Sequence, residues 1–136
     1  MRVVSVPTNG VNQIWSQIEP FVTKGLETAE GDYNTEHAKV LLTNGSWHLC
    51  IAVDDSNEIR GVAAVEYMNR PNDRVAFVIL AAGRFIVVPE VYAQFCDVLR
   101  MNGATSLEAA CHESQARLYK KVCNAREKYR IVEARL

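Results

Sequence analysis

Apolar residues recur along this chain at two different spacings, and the changes of spacing divide it into elements. Val11, Ile14, Trp15, Ile18 and Val22 fall three or four residues apart and predict a first helix, capped by Thr8 or Asn9. Pro20 lies inside that pattern. A proline in a helix interior removes an N–H donor and clashes with the preceding turn, at about 3 kcal/mol. The expectation is a kink or break at Glu19-Pro20, with a second helical piece beginning there. Gly31-Asp32-Tyr33-Asn34 reads as a loop. Thr35 is the expected N-cap of a short helix through Val40, Leu41 and Leu42, which Asn44-Gly45 ends.

The period then shortens to two. Trp47, Leu49, Ile51 and Val53 alternate with Ser46, His48, Cys50 and Ala52, which predicts a strand. Val3 to Pro7 forms an earlier, shorter one. Asp54 to Glu58 is a hairpin turn, Ile59 to Met68 a longer strand, and Asn69 to Asp73 another turn. Val75 to Ala82 is almost continuously apolar, as a central strand buried on both faces should be. A helix follows from Pro89, with Val91, Tyr92, Phe95, Val98 and Leu99 as its apolar face and Asn102-Gly103 as its stop. Leu107 to Cys111 predicts a strand, Glu113 to about Ala125 a helix, and Tyr129 to Leu136 a closing strand. The order β-α-α-β-β-β-α-β-α-β implies one α/β (α+β) domain over residues 1–136. Its sheet should be mixed and mostly antiparallel, with helices on both faces.

Composition narrows the function classes. A chain of 136 residues that is 49% apolar can bury a core without staples. Net charge is −1 with acids and bases interleaved, so no electrostatic drive toward nucleic acid is expected. No apolar run approaches the ~20 residues of a membrane span. Met1 to Pro7 is too soon broken to read as a signal peptide. Cys50, Cys96, Cys111 and Cys123 form no C-x-x-C pair and fall at apolar positions, where free thiols act as small hydrophobes. His37, His48 and His112 carry no zinc spacing, so no metal site is expected.

The last third of the chain carries the chemistry. Ala116-Arg117-Leu118-Tyr119-Lys120-Lys121 on the final helix resembles the alanine–leucine–tyrosine–lysine segment of the GNAT N-acetyltransferase family. The element order resembles that fold over essentially the whole chain. The resemblance implies that Tyr119 takes the position of the general acid that protonates the departing thiolate of coenzyme A. Read from the residues alone, Tyr119 also fits an apolar helix face with Ala116, Val122 and Cys123.

Family members bind the CoA pyrophosphate on successive backbone N–H groups of a glycine-rich turn at a helix N-terminus, where the dipole favours an anion. The equivalent segment here runs from Ala81 to Pro89 and holds one glycine and one arginine. Gly83, Arg84 and Phe85 are the candidate cofactor residues. A tight turn with a solvated arginine is the alternative reading. The strand from Arg74 to Ala82 holds no acid to serve as base. Glu66 on the preceding strand is the candidate, with Glu108 the other nearby carboxylate. Arg117, Lys120, Lys121, Arg126, Lys128 and Arg130 form a basic cluster that suits a solvated helix face or contact with an anion.

The chain also resembles small GNAT-like proteins of tailed bacteriophages and prophages. That resemblance implies a non-catalytic structural or interaction component of a virion or its assembly. Such a component would have a protein partner or self-associate, reside in the virion or host cytoplasm, and need no cofactor. The alternative is an acetyl-CoA-dependent N-acetyltransferase with an atypical pyrophosphate loop. A third class is a small-molecule or CoA-binding regulator without turnover, and an anion site open at Gly83-Arg84 is needed by it and by the enzyme. Phe85 to Val88 packed shut favours the structural module.

Overall fold

Five strands form one sheet in chain order: β1 Arg2–Val6, β2 His48–Val53, β3 Ile59–Arg70, β4 Asp73–Gly83 and β5 Ser106–Ala109. The structure, a computed structural model, describes residues 1–136. Strands β1 to β4 run antiparallel. Strand β5 is parallel to β4, because the helix α3 (Pro89–Met101) carries the chain back between them. Helices α1 (Val11–Leu26) and α2 (Thr35–Thr43) connect β1 to β2, and α4 (Glu113–Val122) follows β5. The sheet is mixed and mostly antiparallel, with two cores on its two faces. Ile18, Val22, Leu42, Leu49, Val62 and Leu80 fill the space beneath α1 and α2. Cys50, Val65, Val78, Phe85, Val91 and Phe95 fill the space beneath α3.

Strand β4 changes faces partway along its length. Ala76 and Val78 pack on the α3 side, yet Leu80 and Ala82 pack on the α1 side. Side chains alternate along a strand, so this exchange needs one extra residue. The register supplies it: Val65 pairs with Val78 and Ala64 with Leu80, leaving Ile79 as a bulge. Because Val75 to Ala82 is apolar throughout, no alternation in the sequence could reveal it.

Pro20 does not break α1, contrary to expectation: the helix runs unbroken from Val11 to Leu26. Pro20 is exposed, whereas Val11, Ile18, Val22, Gly25 and Leu26 are buried along one continuous face. Packing of that face outweighs the single lost hydrogen bond. A short 3-10 turn, Thr8–Gly10, leads into the helix, and neither Thr8 nor Asn9 caps it with a side chain. The cap of α2 is Asn34 rather than Thr35. Its Oδ1 accepts from the His37 N–H at 2.9 Å, and its own N–H donates to His37 Nδ1 at 3.1 Å.

The C-terminus differs most from expectation. Residues 124–136 form no closing strand and are exposed throughout, so β5 is the outer edge of the sheet. The pattern that predicts a strand at Tyr129 to Leu136 is present, but it has no ladder to join in this single copy.

Glu108 on β5 is held by two cations. Arg70 on β3 reaches both of its oxygens, at 2.5 and 3.1 Å, and Lys128 donates at 2.8 Å. The Arg70 hydrogen bond is the main cause of a carboxyl lowered to about 2 from an ordinary 4.5. A depressed acid contributes stability that is present above its ordinary pKa and lost as pH falls through its folded value. Glu108→Gln should therefore cost about 1 kcal/mol at pH 7, the scale of a well-formed Arg–carboxylate pair. The gap to the parent should close as pH falls from about 4.5 toward 2. Urea melts across that range check it, and equal stabilities at pH 7 would show that the pair contributes nothing.

Candidate functional site

Strands β4 and β5 pair only over Val75–Ser106 to Val78–Ala109. Beyond that, β5 stops while β4 continues through Ile79 and Leu80 to Gly83. The sheet is therefore split at one end, with the Ile79 bulge at the fork. Leu80 and Ala81 line one wall of the split, Ala109 and Cys111 the other, and Tyr119 of α4 closes it. The space within it is ≈ 20 Å³, room for about one water, and is partly open to solvent.

Tyr119 is half-buried and packs against the α3-side core. Burial is the main reason its phenol is pushed up from an ordinary 10, with the neighbouring Cys111 and Cys123 adding to the effect. The hydroxyl is thus neutral and carries its proton at physiological pH. Cys111 is itself raised, mainly by burial, so the thiol beside Tyr119 keeps its proton.

Where β4 ends, at the same end as the split, the backbone turns sharply. Gly83 has φ 74°, and a Cβ there would sit 2.4 Å from the Arg60 carbonyl oxygen and 2.7 Å from Phe21 Cε1. This glycine is required by the turn itself. The Arg84 N–H donates to the Arg60 carbonyl at 2.8 Å, while its side chain points to solvent. Phe85 is fully buried and meets Phe95 of α3 edge to face, with ring centroids 5.0 Å apart. Ile86 is buried beside it, and Val87 is about half exposed.

These side chains explain the backbone. The two apolar residues turn inward and hold the segment against α3, while the amides of Phe85, Ile86, Val87 and Glu90 donate to no carbonyl of the protein. Pro89 is the first residue of α3, where its missing N–H removes only one of the orphan donors of a helix start. The expected opposition between an open anion site and a packed loop does not hold here. The side chains are packed and the amides are unbonded. Side-chain burial and backbone availability are separate properties.

The candidate residues fall into two groups. Tyr119 lies in the split between β4 and β5, and Gly83, Arg84 and Phe85 lie in the turn where β4 ends. Glu66 is half-buried on β3, opposite Phe77, and does not line the split; no acid does. Glu108 is committed to Arg70 and Lys128. The sequence reading missed Ile79 and the amides of Ile86, Val87 and Glu90. Backbone donors leave no side-chain signature, and the only local cue was Pro89 at a helix start.

Neither a protein-family model nor a curated protein matches this sequence. Solved structures do match its fold. A ribosomal-protein-alanine N-acetyltransferase from Brucella melitensis biovar Abortus superposes with a TM-score of 0.70 at 12% identity, covering 100% of both chains. An aminoglycoside acetyltransferase from an uncultured soil metagenomic sample gives 0.69 at 14%, covering 99% of this chain and 95% of that one. An acetyltransferase of Trypanosoma brucei gives 0.60 at 11%, covering 99% of each. At such identities the likeness establishes architecture: this chain has the GNAT acetyltransferase fold. Function is a matter of the site.

Proposed function

We propose that this protein is an acyl-CoA-dependent N-acyltransferase. One observation carries the reading: unbonded amides at the start of α3 and a protonated tyrosine in the β4–β5 split lie at the same end of β4. The amides of Ile86, Val87 and Glu90 suit a pyrophosphate, since a helix N-terminus offers both donors and a favourable dipole. Arg84 adds a charge at the rim. Bound acyl-CoA would supply an activated thioester to an attacking amine. The chain's own part is to hold the phosphates, orient the arm along β4, and keep a proton on the Tyr119 hydroxyl. The solved acetyltransferases of the same fold support this class of chemistry and leave the acceptor amine open.

One feature of the site favours a second reading, the non-catalytic module. The split encloses about one water and contains no acid, so an acyl-bearing arm can enter only if β5 and α4 move away from β4. Calorimetric titration with acetyl-CoA and with CoA separates the two. The enzyme reading expects a Kd in the micromolar range, roughly −7 to −8 kcal/mol. Absence of heat and of thermal stabilisation at millimolar ligand would leave the non-catalytic module standing.

A further inference from the structure

Away from the split, three polar side chains are linked across β1, β2 and β3. Ser5, His48 and Tyr67 all project from the α3-side face: Ser5 pairs with Cys50 and His48 with Val65, and both partners and Tyr67 belong to the core on that side. The His48 ring lies between the other two. Its Nε2 is 2.6 Å from Ser5 Oγ, and its Nδ1 is 2.8 Å from Tyr67 Oη. The Tyr67 ring is held in turn beneath the Arg74 guanidinium, 4.7 Å from its centroid. A serine, an imidazole placed to take its proton, and a third group that orients the imidazole are the parts of an activated nucleophile.

The protonation states agree with those roles. Burial lowers His48 from its ordinary 6.5, so the ring is neutral at pH 7. Tyr67 is pushed up to about 12, mainly by burial, and stays a neutral hydroxyl. With the ring proton on Nδ1, the imidazole donates to Tyr67 Oη and Nε2 is left to accept from the Ser5 hydroxyl. The Cys50 thiol, 3.9 Å from the same Nε2, does not compete. It is fully buried, and burial pushes it up to about 12.

The edge of the sheet supplies access and a donor for the developing oxyanion. Strand β1 is the last on its side, and Ser5 is exposed. The Val3 N–H points off that edge, where it donates to Gln94 Oε1 of α3 at 2.9 Å. Amide direction alternates along a strand, so the Ser5 N–H also points off the edge, with no strand beyond it. A carbonyl attacked by Oγ develops its negative charge within reach of that amide, as in an oxyanion hole that uses the nucleophile's own N–H. Met1 and Val3, partly buried on the same face, offer an apolar shelf for a short acyl chain.

We infer that Ser5 is a nucleophile activated by His48, with Tyr67 positioning the imidazole, and that it forms an acyl-serine with small activated esters. The bond from Ser5 Oγ to the carbonyl carbon forms, and the bond from that carbon to the alcohol oxygen breaks. The Ser5 proton passes to His48 Nε2 and from there to the departing phenolate or alkoxide. Water, giving its proton to the same nitrogen, then releases the carboxylic acid and restores the serine. This chemistry needs neither acyl-CoA nor Tyr119.

Labelling of the full chain with diisopropyl fluorophosphate tests this, with the modified residue located by peptide mass spectrometry. Ser5 Oγ displaces fluoride from phosphorus, and its proton goes to His48. The parent should be labelled at Ser5 at least about 100-fold faster than His48→Gln, the scale of general-base assistance. The parent should also hydrolyse 4-nitrophenyl acetate. Ser5→Ala, a change at an exposed position that should keep the fold by circular dichroism, should abolish that turnover. Nitrogen NMR of the His48 ring should find the proton on Nδ1. Tyr67→Phe should move it toward Nε2 and slow labelling several-fold. Labelling of Ser5 no faster than in His48→Gln, or no faster than at the other exposed serines, overturns the inference. So does a parent His48 protonated on Nε2, which would make the three groups a structural tie between strands.

Discussion

Replacing Phe85 with alanine should lower stability by roughly 3–5 kcal/mol, the largest effect expected of any single substitution near the site. The ring is fully buried and stands edge to face on Phe95, 5.0 Å between centroids and 83° between planes. The neighbouring backbone cannot close the resulting cavity. On one side Gly83 is locked against Arg60 and Phe21, and on the other Pro89 starts α3. A void that cannot collapse lies at the costly end of the range. Val87→Ala is the control two residues away; Val87 is about half exposed and should change stability by no more than about 0.5 kcal/mol. Urea midpoints at matched slopes measure both. A loss below about 1 kcal/mol for Phe85→Ala would show that this ring does not anchor the turn. If the turn is a phosphate site, Phe85→Ala should also weaken CoA binding without touching it, because Ile86 and Val87 depend on that anchor for their position.

The same residues show which parts of the fold were legible in the sequence. Alternation in β2 and the three-four spacing of α1 are patterns of side chains, and they predicted both elements correctly. The unbroken apolar run of β4 predicted a central strand for the same reason. That run also hid the Ile79 bulge, because a strand apolar on both faces has no parity to count. Pro20 misled because its cost of about 3 kcal/mol is a local term, and the buried face from Val11 to Leu26 is a larger tertiary one. The tail misled in the opposite direction. Its alternating pattern is present, but a strand also needs a neighbouring ladder, and the tail pairs with none.

The candidate site divides along the same line. Tyr119 was legible because its chemistry sits in a side chain on a helix of clear period. The anion-binding capacity at the start of α3 was not, because it resides in amides whose owners, Ile86 and Val87, look like core residues. Glycines mark a phosphate turn in sequence only when the backbone must approach the ligand closely. Gly83 is present for another reason: its own backbone approaches Gly61 and Arg60. Glu66 was chosen by its place on the neighbouring strand. That strand borders β4 on the side away from β5, and Glu66 is not among the residues that line the split.

Tyr119→Phe should lower kcat about 100-fold or more under the acyltransferase reading, while leaving KM for acyl-CoA within about twofold. The substitution removes only a hydroxyl, and no hydrogen bond contributes to the raised pKa of that group. The ring keeps its packing against the α3-side core, so stability should change by less than about 0.5 kcal/mol. The pH profile carries independent information. An acid whose pKa is raised above 10 stays protonated throughout the ordinary range, so activity should show no decline from Tyr119 below pH 10. With no acid in the split, no residue there can take a proton from the attacking amine. The rate should therefore rise with pH as the free amine deprotonates in solvent, up to the amine's own pKa. A rate that falls between pH 7 and 9 would contradict the assignment of Tyr119 as a neutral acid, and unchanged turnover in Tyr119→Phe would remove it from the mechanism.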